Sequence, residues 1–235
     1  EELKNGVEAV VICNPHNPIG RVWTDGEMEH IVDLCVEYGV YLLSDEIHAD
    51  FGMTRPYTTA GRFEKIHDRL VVYTAISKTF NMAGLGSSCM MIPNPELKQK
   101  ISDSYDACWM FGPCDLAFTA MEAAYTHGDA WVDQQLAYLE GNVETVNTFV
   151  AEHMPGVQVT KHEGTFLMWL DMTCFGKSSR ELTSILAKEY GLALGDGSHY
   201  GTQAEGFMRL NIGCTRDTLI KGLEQMAVMY DKYVK

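Results

Sequence analysis

Three short apolar segments, separated by helical patterns, restrict the possible folds of this chain more than any other feature. They cover residues 9–13, 40–43 and 70–74. Between the first two, a capping box of Thr24 and Glu27 opens an amphipathic pattern that ends at Gly39. A second helical pattern, at residues 63–68, precedes the third segment. Strands that alternate with helices predict an α/β fold with a parallel sheet and helices on its faces.

A single lysine follows the third apolar segment. Residues 71–86 read VVYTAISKTFNMAGLG, so a run rich in β-branched residues breaks off at Lys78, which is followed by a polar loop with glycines. An amine just beyond a buried strand is partly desolvated, which favours the neutral form that attacks a carbonyl. Lys78 is therefore the candidate nucleophile, although most lysines at strand ends are solvated surface residues.

Polar residues also follow the other two apolar segments. Asn17 comes after the first, and Asp45 and His48 come after the second. The carboxyl ends of parallel strands lie at one edge of a sheet, where ligands bind. A cofactor of the pyridoxal phosphate (PLP) type needs a lysine for its Schiff base and a carboxylate beside its pyridine nitrogen. Lys78 and Asp45 meet these needs. The Asn17 amide can donate to the ring oxygen, and His48 is close enough in sequence to share that edge of the ring.

Alternative interpretations exist for each of these residues. Asn17, between prolines, fits a turn role, and Asp45 with His48 fits solvent contacts or a metal pair completed by Asp50. We predict no metal, because one aspartate, one histidine and one lysine do not make a closed zinc set. Arg209 stands in an otherwise apolar segment, where a guanidinium is costly unless it meets a carboxylate. An internal salt bridge is the alternative for Arg209.

The pattern of elements changes in the second half of the chain. Two helical patterns come first, at residues 115–127 and 130–154. They are followed by strand patterns at residues 157–160, 166–171 and 207–212 and by helical patterns that begin at Ser178 and cover residues 215–233. We therefore expect a domain boundary inside the long helix near Gly141, which divides the chain into residues 1–140 and 141–235.

Composition narrows the classes of partner and location. The chain has 18 basic and 32 acidic side chains and a net charge of −14, which would repel phosphates over most of the surface. A small molecule is therefore the expected ligand, rather than a nucleic acid or an anionic membrane. The seven cysteines include no CxxC pair, which indicates a reduced, cytoplasmic protein without structural zinc. No apolar stretch approaches the roughly 20 residues that span a bilayer.

Four motifs in order resemble the fold-type I PLP enzymes of the class I and II aminotransferase family. They are NPHNPIG at residues 14–20, SDEIHAD at 44–50, SKTFN at 77–81 and RLN at 209–211. The resemblance spans essentially the whole chain but only the C-terminal part of the family's chain. It implies an incomplete three-layer large domain of the PLP-dependent transferase (aspartate aminotransferase) type in residues 1–140. A smaller α+β C-terminal domain would occupy residues 141–235.

The resemblance also implies roles for individual residues. Lys78 would be the Schiff-base lysine, and Asp45 the partner of the pyridine nitrogen. Asn17 would donate a hydrogen bond to the ring oxygen, and Arg209 would bind the carboxylate of an amino-acid substrate. The expected cofactor is therefore PLP, and the family's usual homodimer is the expected assembly.

Two departures from the common pattern indicate the branch of the family. His48 stands where many aminotransferases carry a tyrosine, and Thr79-Phe80-Asn81 follows the lysine; both features resemble cystathionine β-lyase-like carbon–sulfur lyases of the MalY/PatB type. Gly86 stands where aminotransferases commonly have a phosphate-binding arginine, so Ser77 would carry more of the phosphate contact. We predict a PLP-dependent carbon–sulfur β-lyase. An aminotransferase and a non-catalytic PLP-binding regulatory domain are the alternatives.

The position of the first motif leads to an expectation about the chain as given. Only 13 residues precede Asn14, and the first residue is not methionine. In the resembling family, a phosphate-binding helix N-terminus and a ring-stacking aromatic precede this motif. We therefore expect a fragment that keeps its sheet and C-terminal domain but binds PLP weakly and does not turn over substrate.

Overall fold

The chain divides into two compact units. The computed structural model describes residues 1–110 and 112–235. The first unit comprises Glu1–His16 and Val22–Asp133, and the second comprises Asn17–Arg21 and Gln134–Lys235. The two units meet along the chain within one long helix, the helix in which the sequence predicts a boundary near Gly141. The predicted domains, residues 1–140 and 141–235, stay a prediction.

A four-stranded sheet organises the first unit. Its strands are β1 (Ala9–Cys13), β2 (Tyr41–Asp45), β3 (Leu70–Thr74) and β4 (Cys89–Met91), in the order β1-β2-β3-β4. β1, β2 and β3 run parallel, and β4 pairs antiparallel with β3. The parallel sheet predicted from the three apolar segments is confirmed. Asp45 is opposite both Cys13 and Tyr73, so β1, β2 and β3 end at the same edge.

Among the residues that the structure describes, five α-helices begin in the first unit. They are α1 (Asp25–Tyr38), α2 (Ile76–Thr79), α3 (Pro95–Ala107), α4 (Asp115–His127) and α5 (Asp129–His153), the last of which continues into the second unit. The predicted capping box is confirmed, because the Thr24 hydroxyl accepts from the Glu27 N–H and the Glu27 carboxylate accepts from the Thr24 N–H. Gly39 ends α1 in the left-handed conformation, which glycine adopts without a steric penalty.

The core of the first unit lies between α1 and the sheet. Met28, Val32 and Cys35 of α1 are buried in one cluster with Leu42 of β2 and Leu70 of β3. Their spacing at i, i+4 and i+7 places them on one face of α1, as an amphipathic helix requires. This packing holds β2 and β3, and with them the polar residues at their carboxyl ends.

Two local elements differ in type from an ordinary α-helix or loop. The helix predicted at residues 63–68 is present as the 3₁₀ segment Glu64–Arg69, which has no side-chain cap and is too short to propagate α-helical bonding. Lys78 follows β3 as predicted, but it lies in α2, a single turn that the sequence pattern does not predict. In this turn the Phe80 N–H donates to the Ile76 carbonyl over 3.0 Å.

An antiparallel sheet organises the second unit. Its strands are β5 (Gln158–Val159), β6 (Leu167–Asp171), β7 (Gly195–Asp196) and β8 (Phe207–Asn211), in the order β5-β6-β8-β7. Its helices are α6 (Ser179–Tyr190) and α7 (Arg216–Tyr233), together with the C-terminal part of α5. No sequence pattern predicts β7, because its two residues resemble a loop and form a strand only by pairing with β8.

Two further properties concern the helices and the cysteines. Within residues 1–110 and 112–235, no helix is long and apolar enough to cross a membrane. All seven cysteines are free thiols.

Candidate active site

The carboxylate of Asp45 lies at the end of β2. Its Oδ1 accepts a hydrogen bond from the Ile47 N–H over 3.1 Å, which orients the carboxylate at the edge of the sheet. The Asp45 carbonyl accepts from the Asn14 N–H over 2.9 Å, so the ends of β1 and β2 are joined at this residue. The Asp45 carboxylate is half-buried, and its Oδ2 has no hydrogen-bond partner in the described part of the chain. Oδ2 is therefore available to a donor such as a ring N–H.

His48 lies three residues further on and is 2% exposed. Its imidazole packs against the Phe51 ring, with centroids 5.9 Å apart, and it begins the 3₁₀ segment Ala49–Phe51. The sequence motif therefore places His48 beneath the surface of the segment that follows β2. This burial is compatible with a role in holding that segment as well as with the predicted contact to a cofactor.

Glu46, next to Asp45, is buried on the other side of the strand end. Its carboxylate accepts from the Ser44 hydroxyl over 2.8 Å, from the Ala60 N–H over 2.9 Å and from the Tyr57 hydroxyl. Burial raises the pKa of the Glu46 carboxyl, although the Ala60 and Ser44 hydrogen bonds oppose the rise. Glu46 therefore ties residues 57–60 to β2 and supports the strand end that carries Asp45.

Glu46 gives a pH prediction. A carboxyl whose pKa is raised on folding binds its proton more tightly in the native state, so its contribution to stability is full below the unfolded pKa and is lost as pH rises through the folded pKa. We expect the free energy of unfolding of the wild type to fall, relative to Glu46→Gln, from about pH 4 upward until Glu46 is ionised. Urea unfolding at a series of pH values measures this difference.

Glu181 provides the control for that experiment. Hydrogen bonds from Ser178 lower the pKa of the exposed Glu181 carboxyl, so its contribution has the opposite sign and is lost as pH falls. Glu181→Gln should leave the decline that is due to Glu46 in place. Equal pH dependence of the wild type and Glu46→Gln would contradict the prediction.

Lys78 lies in α2, at the carboxyl end of β3. Its side chain is half-buried, and within the described part of the chain its amine has neither a hydrogen-bond partner nor an ion pair. The Ser77 hydroxyl, one residue earlier, also lacks a protein partner there. An amine held at a strand end without a competing carboxylate remains available for a carbonyl group.

Aromatic packing holds one side of the Lys78 turn. Phe80 stacks on Trp131 and meets the Tyr125 edge, with each pair of ring centroids 5.9 Å apart. Gly128 faces the Phe80 ring, and a Cβ at this position would collide with it. The glycine between α4 and α5 therefore lets Phe80, two residues after Lys78, pack closely.

Arg209 and Asn17 meet within the second unit. Arg209 Nη1 donates to Asn17 Oδ1 over 3.0 Å. Because a guanidinium can only donate, this bond assigns the amide oxygen to Arg209 and leaves the Asn17 NH₂ group free to donate elsewhere. No carboxylate pairs with Arg209 in the described residues, so its alternative role in an internal salt bridge is not observed there.

Aromatic and small residues around Arg209 position its side chain. Its guanidinium lies 5.5 Å from the Tyr200 ring centroid, and the Tyr200 ring meets Trp169 edge to face at 5.6 Å. Gly195 lies opposite Arg209 in the β7–β8 ladder, where a Cβ would be 3.2 Å from the arginine side chain. No sequence pattern indicates Tyr200, Trp169 or Gly195 as neighbours of Arg209, because only strand pairing and packing bring them together.

The segment that carries Asn17 is held by backbone hydrogen bonds. The Gly20 carbonyl accepts from the Glu163 and Gly164 N–H groups over 2.7 and 2.9 Å. Gly20 has φ +76°, and a Cβ there would lie 2.7 Å from His162 Cδ2. Burial lowers the pKa of the His162 imidazole to about 4, so this ring is neutral at pH 7 and packs against Gly20. Asn17 is therefore supported by its own bond to Arg209 and by the anchored glycine.

The available groups fit PLP. In the first unit, the Lys78 amine, the Asp45 carboxylate and the Ser77 hydroxyl match the carbonyl, ring nitrogen and phosphate of that cofactor. In the second unit, the Asn17 NH₂ group is a donor of the kind that a ring oxygen accepts. Among the residues that the structure describes, no group of three or more histidine, cysteine, aspartate or glutamate side chains could hold a metal ion. Lys78, Asp45, His48 and Ser77 belong to the first unit, and Asn17 and Arg209 belong to the second.

Comparisons with known proteins give the family of the chain. The profile of the aminotransferase class I and II family matches residues 1–226. Over 222 residues the chain is 38% identical to cystathionine beta-lyase PatB of Bacillus subtilis, covering 94% of this chain and 57% of PatB. It is 32% identical to protein MalY of Escherichia coli over 223 residues, covering 91% of this chain and 55% of MalY.

The fold of the chain matches that of a solved structure. The crystal structure of cystalysin from Treponema denticola, which contains a pyridoxal 5′-phosphate cofactor, superposes with a TM-score of 0.91 at 29% identity, covering 97% of this chain and 58% of cystalysin. The chain thus spans somewhat more than half the length of the proteins it matches. The predicted fold class, the α/β fold of PLP-dependent transferases, is confirmed. The chain belongs to the class I and II aminotransferase family.

Proposed function

We propose that the protein is a PLP-dependent carbon–sulfur β-lyase that acts on amino acids. The observation that carries the proposal is the partner-free Lys78 amine in α2, at the end of the strand next to the one that ends at Asp45. The 38% identity to a protein named cystathionine beta-lyase supports elimination over transamination. His48 and the Thr79-Phe80-Asn81 sequence support the same choice.

Each candidate residue then has a chemical task toward the cofactor. Lys78 Nζ would attach the cofactor covalently, and Asp45 would keep the ring nitrogen protonated. The Asn17 NH₂ group would donate to the ring oxygen and the Ser77 hydroxyl to the phosphate. We assign His48 to cofactor binding through the segment that it shares with Asp45.

The chain's remaining task is to handle the substrate. When bound, PLP supplies an electron sink for the negative charge that develops at the substrate Cα. Lys78 Nζ would remove the Cα proton as general base. Arg209 would bind the substrate carboxylate with its forked guanidinium, whose N–H groups other than the one on Asn17 are available. Loss of the β-thiolate and hydrolysis give a thiol, pyruvate and ammonia.

We also propose a homodimer in the cytoplasm. Trp109, Leu116 and Phe118, close together in sequence, are 79%, 67% and 55% exposed, and exposed apolar patches mark protein–protein interaction sites. Free thiols at all seven cysteines support a reducing compartment. The net charge of −14 supports a small-molecule substrate rather than a nucleic acid.

The reaction type is tested with cystathionine or another cysteine S-conjugate. We expect the complete protein that contains this chain, supplied with PLP, to release thiol, measured with Ellman's reagent, and equimolar pyruvate, measured with lactate dehydrogenase, without any 2-oxo acid. The matched control is the same assay with a 2-oxo acid present, which should not raise the rate. Turnover that strictly requires the 2-oxo acid would assign the protein to the aminotransferases instead.

A further inference from the structure

A hydrogen bond joins the segment that carries Lys78 to the segment that carries His48. The Thr79 hydroxyl donates to Asp50 Oδ2 over 2.6 Å. Thr79 is the residue after Lys78 in α2, and Asp50 lies in the 3₁₀ segment Ala49–Phe51 that begins at His48. The bond therefore connects the polar segments that follow β3 and β2.

The burial of Thr79 makes this hydrogen bond important. Thr79 is 2% exposed, and Asp50 provides the only side-chain partner of its hydroxyl in the described part of the chain. A buried hydroxyl that loses its partner cannot replace it with water, so the turn must move to solvate it. Hydrogen bonds to a carboxylate are also shorter and stronger than neutral ones.

Asp50, in the 3₁₀ segment Ala49–Phe51, lies close to α4 and to the end of β3. Burial raises the pKa of the Tyr125 phenol, the Asp50 and Cys89 side chains raise it further, and a hydrogen bond with Thr74 opposes the rise. The Asp50 carboxylate is therefore near the place where Tyr125 of α4 contacts Thr74, the last residue of β3. This placement lets Asp50 act on the turn that follows β3.

The helix that carries Lys78 needs such support. α2 has four residues and no side-chain cap, and an isolated helix of this length is not stable in water. Its orientation therefore depends on the contacts of its side chains. The aromatic contacts of Phe80 hold the residue that follows α2, and the Thr79–Asp50 hydrogen bond holds the last residue of α2.

We propose that Asp50 is a positioning residue that acts through Thr79 to orient the Lys78 amine. The inference rests on the proposed function of Lys78, because it matters for catalysis only if that amine attaches the cofactor. Asp50 is exposed, and Thr79→Val removes the buried hydroxyl together with its need for a partner, so both positions can be changed in the folded protein.

The first test needs no cofactor. Trace labelling with acetic anhydride, followed by peptide mapping, measures the reactivity of Lys78 relative to the exposed Lys98. In the wild type, the labelling rate of Lys78 should differ from that of Lys98, because the Lys78 amine is half-buried and held in one orientation. Thr79→Val and Asp50→Ala should each move the Lys78 rate severalfold toward that of Lys98, and the double variant should add nothing further. Thr79→Ser, which keeps the hydroxyl, should label like the wild type.

The second test measures cofactor attachment. After PLP is added, borohydride reduction at fixed times should trap severalfold less cofactor on Lys78 in Thr79→Val and Asp50→Ala than in Thr79→Ser. If Lys78 of the complete wild-type protein traps no cofactor, the proposed function is wrong, while the labelling experiment still decides whether Asp50 orients the amine. The two hypotheses therefore fail separately.

A matched pair elsewhere in the chain provides the control. Thr173 Oγ1 donates to Asp171 Oδ1 over 2.6 Å, the same kind of bond far from Lys78 in sequence. Thr173→Val should change neither the Lys78 labelling rate nor the cofactor trapping. Unchanged Lys78 labelling in both Thr79→Val and Asp50→Ala, even with lowered melting temperatures, would overturn the positioning role and leave only a structural bond.

Discussion

Lys78→Ala is expected to abolish covalent attachment of PLP and to lower the β-elimination rate by about 10³-fold or more. The first effect follows because the substitution removes the only amine in α2, at the end of β3. The second follows because a positioned general base contributes about 10²–10⁴-fold to a rate, in addition to the loss of the attached cofactor. Borohydride reduction and peptide mapping locate the cofactor, and pyruvate release measures the rate.

An exposed lysine serves as the control for Lys78. Lys98 lies on the solvent face of α3, so Lys98→Ala should retain attachment and activity. Lys78→Arg keeps a positive charge but lacks a free amine, and it should fail in the same way as Lys78→Ala. Cofactor mapped to any lysine other than Lys78 in the wild type would refute the assignment.

Arg209→Ala is expected to lower kcat/KM for amino-acid substrates by about 30- to 4,000-fold, mainly through KM. Removing one partner of a hydrogen-bonded charge pair costs about 2–5 kcal/mol, and about 1.4 kcal/mol corresponds to a factor of ten. The effect falls on KM if the carboxylate contact is equally strong before and during the reaction. Initial rates over a range of cystathionine concentrations separate the two parameters.

Two variants sharpen the Arg209 prediction. Arg209→Lys keeps the charge but loses the fork that bonds Asn17 and a carboxylate together, so we expect an intermediate KM. Arg69 lies 5.5 Å from the Tyr41 ring, the same distance as Arg209 from Tyr200, and Arg69→Ala should leave KM unchanged. A fall in kcat alone for Arg209→Ala would exclude a carboxylate-binding role.

Local sequence patterns were sufficient for the elements that place Asp45 and Lys78. Apolar runs of four or five residues indicated β1, β2 and β3, and the Thr24–Glu27 capping box indicated the start of α1. These features depend on neighbours within a few residues, so their physical cause is present in the sequence itself. The same locality explains which elements the sequence patterns do not predict. A single-turn helix such as α2 and a two-residue strand such as β7 form only through contacts with residues distant in sequence.

Only the tertiary structure determined how the candidate residues are supported. Thr79 bonds Asp50 over 29 residues of sequence, and Arg209 bonds Asn17 over 192. Such contacts have no periodic signal, because they arise when separate elements pack and buried polar groups must find partners. The sequence alone determined which chemical groups follow the strands, since strand ends are set locally. Tertiary packing decided which of those groups are tied to protein partners and which, like the Lys78 amine, remain available for chemistry.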